Sequence, residues 1–138
     1  MNLDRYHEQH AGIHGQLQDL HQRLAPEALA ADPAAARQSL VTLGAKLNIH
    51  LAFEDQALYP PLLGNLNPAI QTKTRAYMSE MGGLKENLGN HLKRWLSIQR
   101  VQQEPQTFRK ETLELTQALE RRLQAEDQDF YPMLERLA

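Results

Sequence analysis

The chain carries one stretch twice. His50–Leu62 (HLAFEDQALYPPL) and Arg122–Leu134 (RLQAEDQDFYPML) agree at seven of thirteen positions, among them Glu54 with Glu126, Tyr59 with Tyr131 and Pro60 with Pro132. Whatever site the first copy builds, the second supplies its other half. In the first copy His50 precedes Glu54 by four residues. On a helix that spacing stacks the two side chains one turn apart on a single face, where both can reach one ion. In the second copy the histidine's place is taken by Arg122. A guanidinium has no lone pair to offer a metal and is not deprotonated in proteins. One half is chemically competent to hold a cation and the other is altered.

Around this repeat the chain reads as helices cut by proline-bearing joints. The first spans roughly Leu3 to Leu24, with an apolar stripe of Leu3, Tyr6, Ile13, Leu17, Leu20 and Leu24 at three-to-four spacing. His10 fills the one vacancy in that stripe and so points inward. Ala25-Pro26 ends the helix, and Asp32-Pro33 reads as an N-cap followed by proline at the first helical position. The second helix runs from Pro33 to about Tyr59, its seam passing through Leu40, Leu43, Leu47, His50, Glu54 and Ala57, and Pro60-Pro61 with Gly64-Asn65 closes it. Asn67-Pro68 repeats the cap signal. The third spans Pro68 to about Val101, with a bend expected at Gly82-Gly83 because paired glycines weaken a helix interior. His91 lies on its seam among Leu84, Leu88, Trp95 and Ile98. Glu104-Pro105 breaks the chain again. The fourth helix covers about Gln106 to Tyr131 or beyond, with Phe108, Thr112, Leu115, Leu119, Arg122, Glu126 and Asp129 on one stripe.

The expected fold is all-α, a single domain over residues 1–138 built as an up-down-up-down four-helix bundle. Composition agrees: aromatic residues are 6% of the chain, and helix-favouring residues dominate. The chain has no cysteine, which removes disulfides, thiolate zinc sites and cysteine nucleophiles together. A net charge of −2 gives no bulk basicity for nucleic acid. No apolar run approaches a membrane span or a signal core, so the expected location is the cytoplasm. Every helix places a polar residue on its seam: His10, His50 with Glu54, His91, and Arg122 with Glu126. Burying such groups at one depth without partners costs several kcal/mol, so they are expected to satisfy one another or a bound ion.

Gln9-His10-Ala11-Gly12-Ile13, His50-x-x-x-Glu54 with its Leu-Tyr-Pro, His91, and Glu126 with its Phe-Tyr-Pro together resemble the haemerythrin-like, or HHE cation-binding, domains over essentially the whole chain. The resemblance implies a non-haem di-iron centre bridged by two glutamates, with His10, His50, Glu54, His91 and Glu126 as metal ligands. It implies binding of oxygen, sensing of oxygen or iron, or a response to oxidative and nitrosative stress. Arg122 departs from the family pattern, and it leaves one ion, two or none open.

Two roles for Arg122 follow from its charge: it bridges Glu54 and Glu126 in place of an ion, or it tilts its long stem outward. The first fits a metal-free regulatory module that engages a protein partner or a second copy of itself; the second fits a metal-binding sensor. Enzymatic activity is not expected. His7, His14 and His21 recur every seven residues beside the seam, about 10.5 Å apart along the axis, too far to share an ion. His14 is the outside candidate for a replacement ligand. Tyr59 and Tyr131 read as packing residues next to helix-stopping prolines.

Overall fold

The computed structural model describes residues 1–137, and among them there is helix and no strand. Four long helices carry the architecture: α1 (Asp4–Leu24), α3 (Pro33–Phe53), α5 (Pro68–Arg94) and α7 (Pro105–Ala125). Short helices α2 (Pro26–Ala31) and α6 (Ile98–Gln103) fill two of the joints. Beyond α3 and α7 the chain passes through wider π-turns, Glu54–Leu58 and Glu126–Phe130, into α4 (Tyr59–Leu63) and α8 (Tyr131–Glu135). No helix among the described residues is long and apolar enough to cross a membrane.

Local chemistry sets the starts. Asp32 accepts from Ala35 N–H at 3.0 Å, and Asn67 accepts from Ala69 N–H at 2.9 Å, each followed by proline at the first helical position. Long-range hydrogen bonds fix the packing directions. Asp19 pairs with Ser39 while His10 meets His50, so α1 and α3 run antiparallel. His91 pairs with Thr112 while Tyr77 donates to Ala125 O, so α5 and α7 do too.

Several boundaries differ from the sequence reading. The third helix ends at Arg94 rather than near Val101; Ser97 then caps α6 by accepting from Arg100 N–H. Ile98 is accordingly on the surface, 38% exposed. The helix runs unbroken through Gly82-Gly83, and a Cβ added at either glycine would meet open space. The second helix passes through Pro60-Pro61 and closes at Gly64. Proline lacks an N–H and its ring crowds the carbonyl four residues back, and the chain accommodates it with a wider turn. Tyr59 N–H reaches Glu54 O, five residues back, and Tyr131 N–H reaches Glu126 O in the second copy.

The π-turns shift the inward face by one residue. Ala57 and Asp129, expected on the seam, are exposed, and Leu58 with Tyr59 and Phe130 with Tyr131 are buried in their place. On α7 the buried line is Phe108, Thr112, Thr116, Leu119, Leu123 and Glu126, rather than one through Leu115 and Arg122. Both lines obey helical spacing. Burying Leu123 is worth about 2 kcal/mol, whereas burying a guanidinium without partners would cost several. The helix therefore rotates to bury leucine.

The core falls into two apolar clusters. One joins Ile13, Leu17, Leu47, Leu51, Met81, Phe108 and Leu123 with their neighbours. The other joins Leu3, Tyr6, Leu58, Tyr59, Tyr77, Phe130 and Tyr131. In sequence, His10 falls between Tyr6 and Ile13, His50 and Glu54 between Leu47 and Leu58, and Glu126 between Leu123 and Phe130. A polar layer thus separates the two apolar ones.

Candidate metal centre

That layer is deeply buried. His50, Glu54 and Glu126 are 0% exposed and His10 is 2%. His10 Nε2 lies 3.0 Å from His50 Nε2 and 3.1 Å from Glu126 Oε1. His50 Nε2 lies 3.3 Å from Glu126 Oε1 and 3.1 Å from Glu54 Oε1. Ligand atoms of His10, His50 and Glu126 all fall within 4.8 Å of one another.

The outer nitrogens of both rings are engaged. His10 Nδ1 is 2.8 Å from Asp127 Oδ1, and His50 Nδ1 is 2.8 Å from Gln9 Oε1. Both partners are acceptors, so each Nδ1 carries its proton and donates. Each Nε2 is then either a bare lone pair or the second proton site of an imidazolium, and the two face each other. This outer-shell hydrogen bond that leaves the other nitrogen free is how proteins orient metal-binding histidines. Glu126 Oε2 is buried without any hydrogen-bond partner, a state that costs about 1–3 kcal/mol. A cation accepting these lone pairs would satisfy the facing nitrogens and the stranded oxygen together. The donor set fits a metal ion.

Without an ion, protons hold the cluster together. Burial works against charge on His50, but hydrogen bonds with Glu126 and Glu54 outweigh it and push its pKa up to about 9. Burial, and then the facing Glu126 carboxylate, raise the Glu54 carboxyl above the usual carboxylate range. Burial opposes ionisation of Glu126 too, yet hydrogen bonds from Glu54, His10 and His50 hold it well below that range.

Two of the expected participants stand elsewhere. His91 does not join the cluster. Its Nε2 is 2.8 Å from Thr112 Oγ1 and its ring stacks on Phe108. Tyr77 is the α5 residue level with the site, bonded to Ala125 O at 3.0 Å and Asp129 Oδ2 at 2.9 Å; His91 lies fourteen residues further, about 21 Å along the axis. Arg122 does not bridge Glu54 and Glu126. Its guanidinium pairs with Glu80 and lies 5.1 Å over the Tyr77 ring, with the side chain 27% exposed. His14 is half exposed and its nearest carboxylate is Asp127, at 3.9 Å.

Four residues of the site were not read from the sequence in this role. Asp127 and Gln9 orient the histidines, and no spacing signal marks either. Tyr131 Oη donates to Glu54 Oε2 at 2.8 Å, and Tyr59 Oη donates to Glu54 Oε1 at 3.3 Å. The tyrosines did leave a signal: Glu-x-x-x-x-Tyr-Pro occurs in both copies. In a turn closed from residue i+5 to residue i, the fifth residue stacks above the first, which brings each tyrosine to the level of its glutamate. π-turns of this kind recur at functional sites.

His91 gives a pH test independent of the cluster. Burial holds its pKa below the ordinary value, with Glu111 acting upward and Arg94 downward. The folded protein favours the neutral ring, whereas the unfolded chain takes a proton near about 6.5. This contribution to stability is fully present above that pH and is lost as pH falls through the lower folded value. Urea midpoints of His91→Gln should fall less on acidification than those of the parent protein. Equal slopes below about pH 6.5 would remove His91 as the cause.

An all-helical chain with a buried histidine and carboxylate cluster able to hold a cation defines a class of helical cation-site proteins. A family model for the Hemerythrin HHE cation binding domain matches residues 1–134, and the chain belongs to that family. Comparison with curated proteins and with solved structures gave no match.

Proposed function

We propose that this haemerythrin-family domain is a non-enzymatic binding protein in which His10, His50, Glu54 and Glu126 hold one non-haem iron ion. Its frame is read as a single up-down-up-down four-helix bundle, with the short helices as elaborated joints. The carrying observation is the pair of imidazole Nε2 atoms facing each other at 3.0 Å, each ring's Nδ1 already engaged. Two histidines with carboxylates are a donor set that non-haem iron takes. A bound iron would supply a centre that changes oxidation state and accepts a small diatomic ligand such as oxygen. That chemistry suits a cytoplasmic sensor or binder of oxygen, iron or oxidative and nitrosative stress.

The chain's own residues would orient and enclose the ion. Asp127 and Gln9 hold the two rings, Glu54 and Glu126 supply negative charge, and Tyr6, Tyr59, Phe130 and Tyr131 wall off one side. Among the described residues a second ion has no comparable set: Arg122 stands where the repeat would place its histidine and is turned toward Glu80, and α5 presents Tyr77 at that level.

Elemental analysis of untagged protein grown with added iron should give one iron per chain. Two irons, or none with a colourless and chelator-insensitive protein, would overturn the reading. Chelation should also lower the melting temperature, since an ion at a free concentration of one hundred times its Kd stabilises by about 2.7 kcal/mol.

A further inference from the structure

Tyr131 is placed as more than a packing residue. Its phenol oxygen is 2.8 Å from Glu54 Oε2 and 3.3 Å from His10 Nε2, so it touches two of the residues that would hold the ion. The ring is fully buried and fixed by neighbours on several sides: Tyr6, His7, His10 and Phe130 all lie against it. Tyr59, its counterpart in the first copy, reaches only Glu54. The repeat thus gives two phenols of similar burial, of which one converges on a histidine as well as a carboxylate.

Hydrogen bonding to Glu54 accounts for one of the two contacts of Tyr131. The other, at 3.3 Å, is an ordinary hydrogen bond if His10 Nε2 bears a proton and a meeting of lone pairs if it is bare. His10 Nδ1 already donates to Asp127, and His10 Nε2 is also within reach of His50 and Glu126. A phenol that gives its single proton to Glu54 has only lone pairs to present to His10 Nε2. An oxygen lone pair and a nitrogen donor atom side by side, with carboxylate oxygens adjoining, is an arrangement that a cation between them would stabilise.

We propose that Tyr131 is itself a ligand of the bound ion, and that the centre accepts ferric iron through the Tyr131 phenolate oxygen alongside His10, His50 and the two glutamates. The inference rests on the iron-binding reading above. In the metal-free chain the phenol proton is held against Glu54 Oε2. On loading, the O–H bond breaks, its electron pair is donated to the ion, and the proton is released to solvent, so no oxidant or reductant is consumed. The wider turn before Tyr131 is what permits this, because it carries the phenol to the level of Glu126. The hard, anionic oxygen ligand favours the trivalent state over the divalent one.

The test uses the full chain loaded with ferric iron, with iron content measured on the same sample. A phenolate-to-iron charge-transfer band is expected in the visible spectrum, and excitation into it should enhance tyrosinate ring modes in the resonance Raman spectrum. Tyr131→Phe should abolish both, while Tyr59→Phe keeps them. Should Tyr131→Phe fail to fold, the chain's other three tyrosines settle the assignment. Tyr6→Phe, Tyr59→Phe and Tyr77→Phe must then each retain the band. One iron per chain with no such band, or a band that survives in folded Tyr131→Phe or vanishes in one of the other three, overturns the tyrosine ligand and leaves the iron site standing. A chain that takes up no iron overturns both.

Discussion

His50→Ala should cost the protein its metal and much of its stability together. The ring is 0% exposed and sits between Glu54 and Glu126, with Gln9 on its outer nitrogen. Removing it leaves two buried carboxyl groups facing each other with only His10 and the tyrosines to balance them. Breaking a buried ionic set by deleting one partner typically costs about 3–5 kcal/mol. For a chain of this length that lowers the melting temperature by roughly 10–20 °C. Bound iron should fall from one per chain to a trace, because one of two nitrogen donors is gone. The decisive comparison is made in chelator. If the stability loss disappears there, His50 acts only through the ion; if it persists, the proton-held cluster is itself structural. Retention of one tightly held iron in folded His50→Ala would contradict the assigned ligand set.

The second large effect is expected at the other end of the molecule. Phe108 is 0% exposed, stacked on His91 at 6.2 Å and edge-on to Trp95 at 5.3 Å. Phe108→Ala removes a ring from a packed core and leaves a cavity, a change that costs about 3–5 kcal/mol. Iron stoichiometry should nevertheless remain at one per chain, since Phe108 precedes Glu126 by eighteen residues, about 27 Å along the helix axis. Calorimetry and elemental analysis on the same preparation read both quantities. The two variants thus have similar stability costs and opposite metal outcomes. Loss of iron in folded Phe108→Ala would mean that the centre depends on packing well outside its own layer.

His91 illustrates why seam position alone does not assign a ligand. Its spacing is as good as that of His10, and both are buried. The difference is depth along the bundle, which depends on how far each helix slides against its neighbours and where the joints release it. The joint between α5 and α7 contains α6, capped by Ser97 and closed before Pro105. With that geometry Thr112 comes level with His91, and Tyr77 comes level with the polar layer.

The sequence by itself determined that the chain is helical, where its capped helices begin, and which residues line the seam of α1. It also brought out the repeat, with His50, Glu54 and Glu126 in it, and set His10 and His91 alike on helix seams, because helical periodicity is a local property that side-chain spacing records directly. It could not choose between two equally periodic faces of α7, and only the packed structure did so, by burying Leu123 and turning Arg122 toward Glu80. Nor could it place residues beyond each proline. There the π-turn adds one residue, exposing Ala57 and Asp129 and bringing Tyr59 and Tyr131 against Glu54. The altered second copy of the repeat is therefore not a plug between the glutamates. Its arginine turns aside to Glu80 over the Tyr77 ring, while its glutamate and tyrosine complete the site that the first copy begins, because side-chain burial and backbone hydrogen bonding across helices set rotation and register.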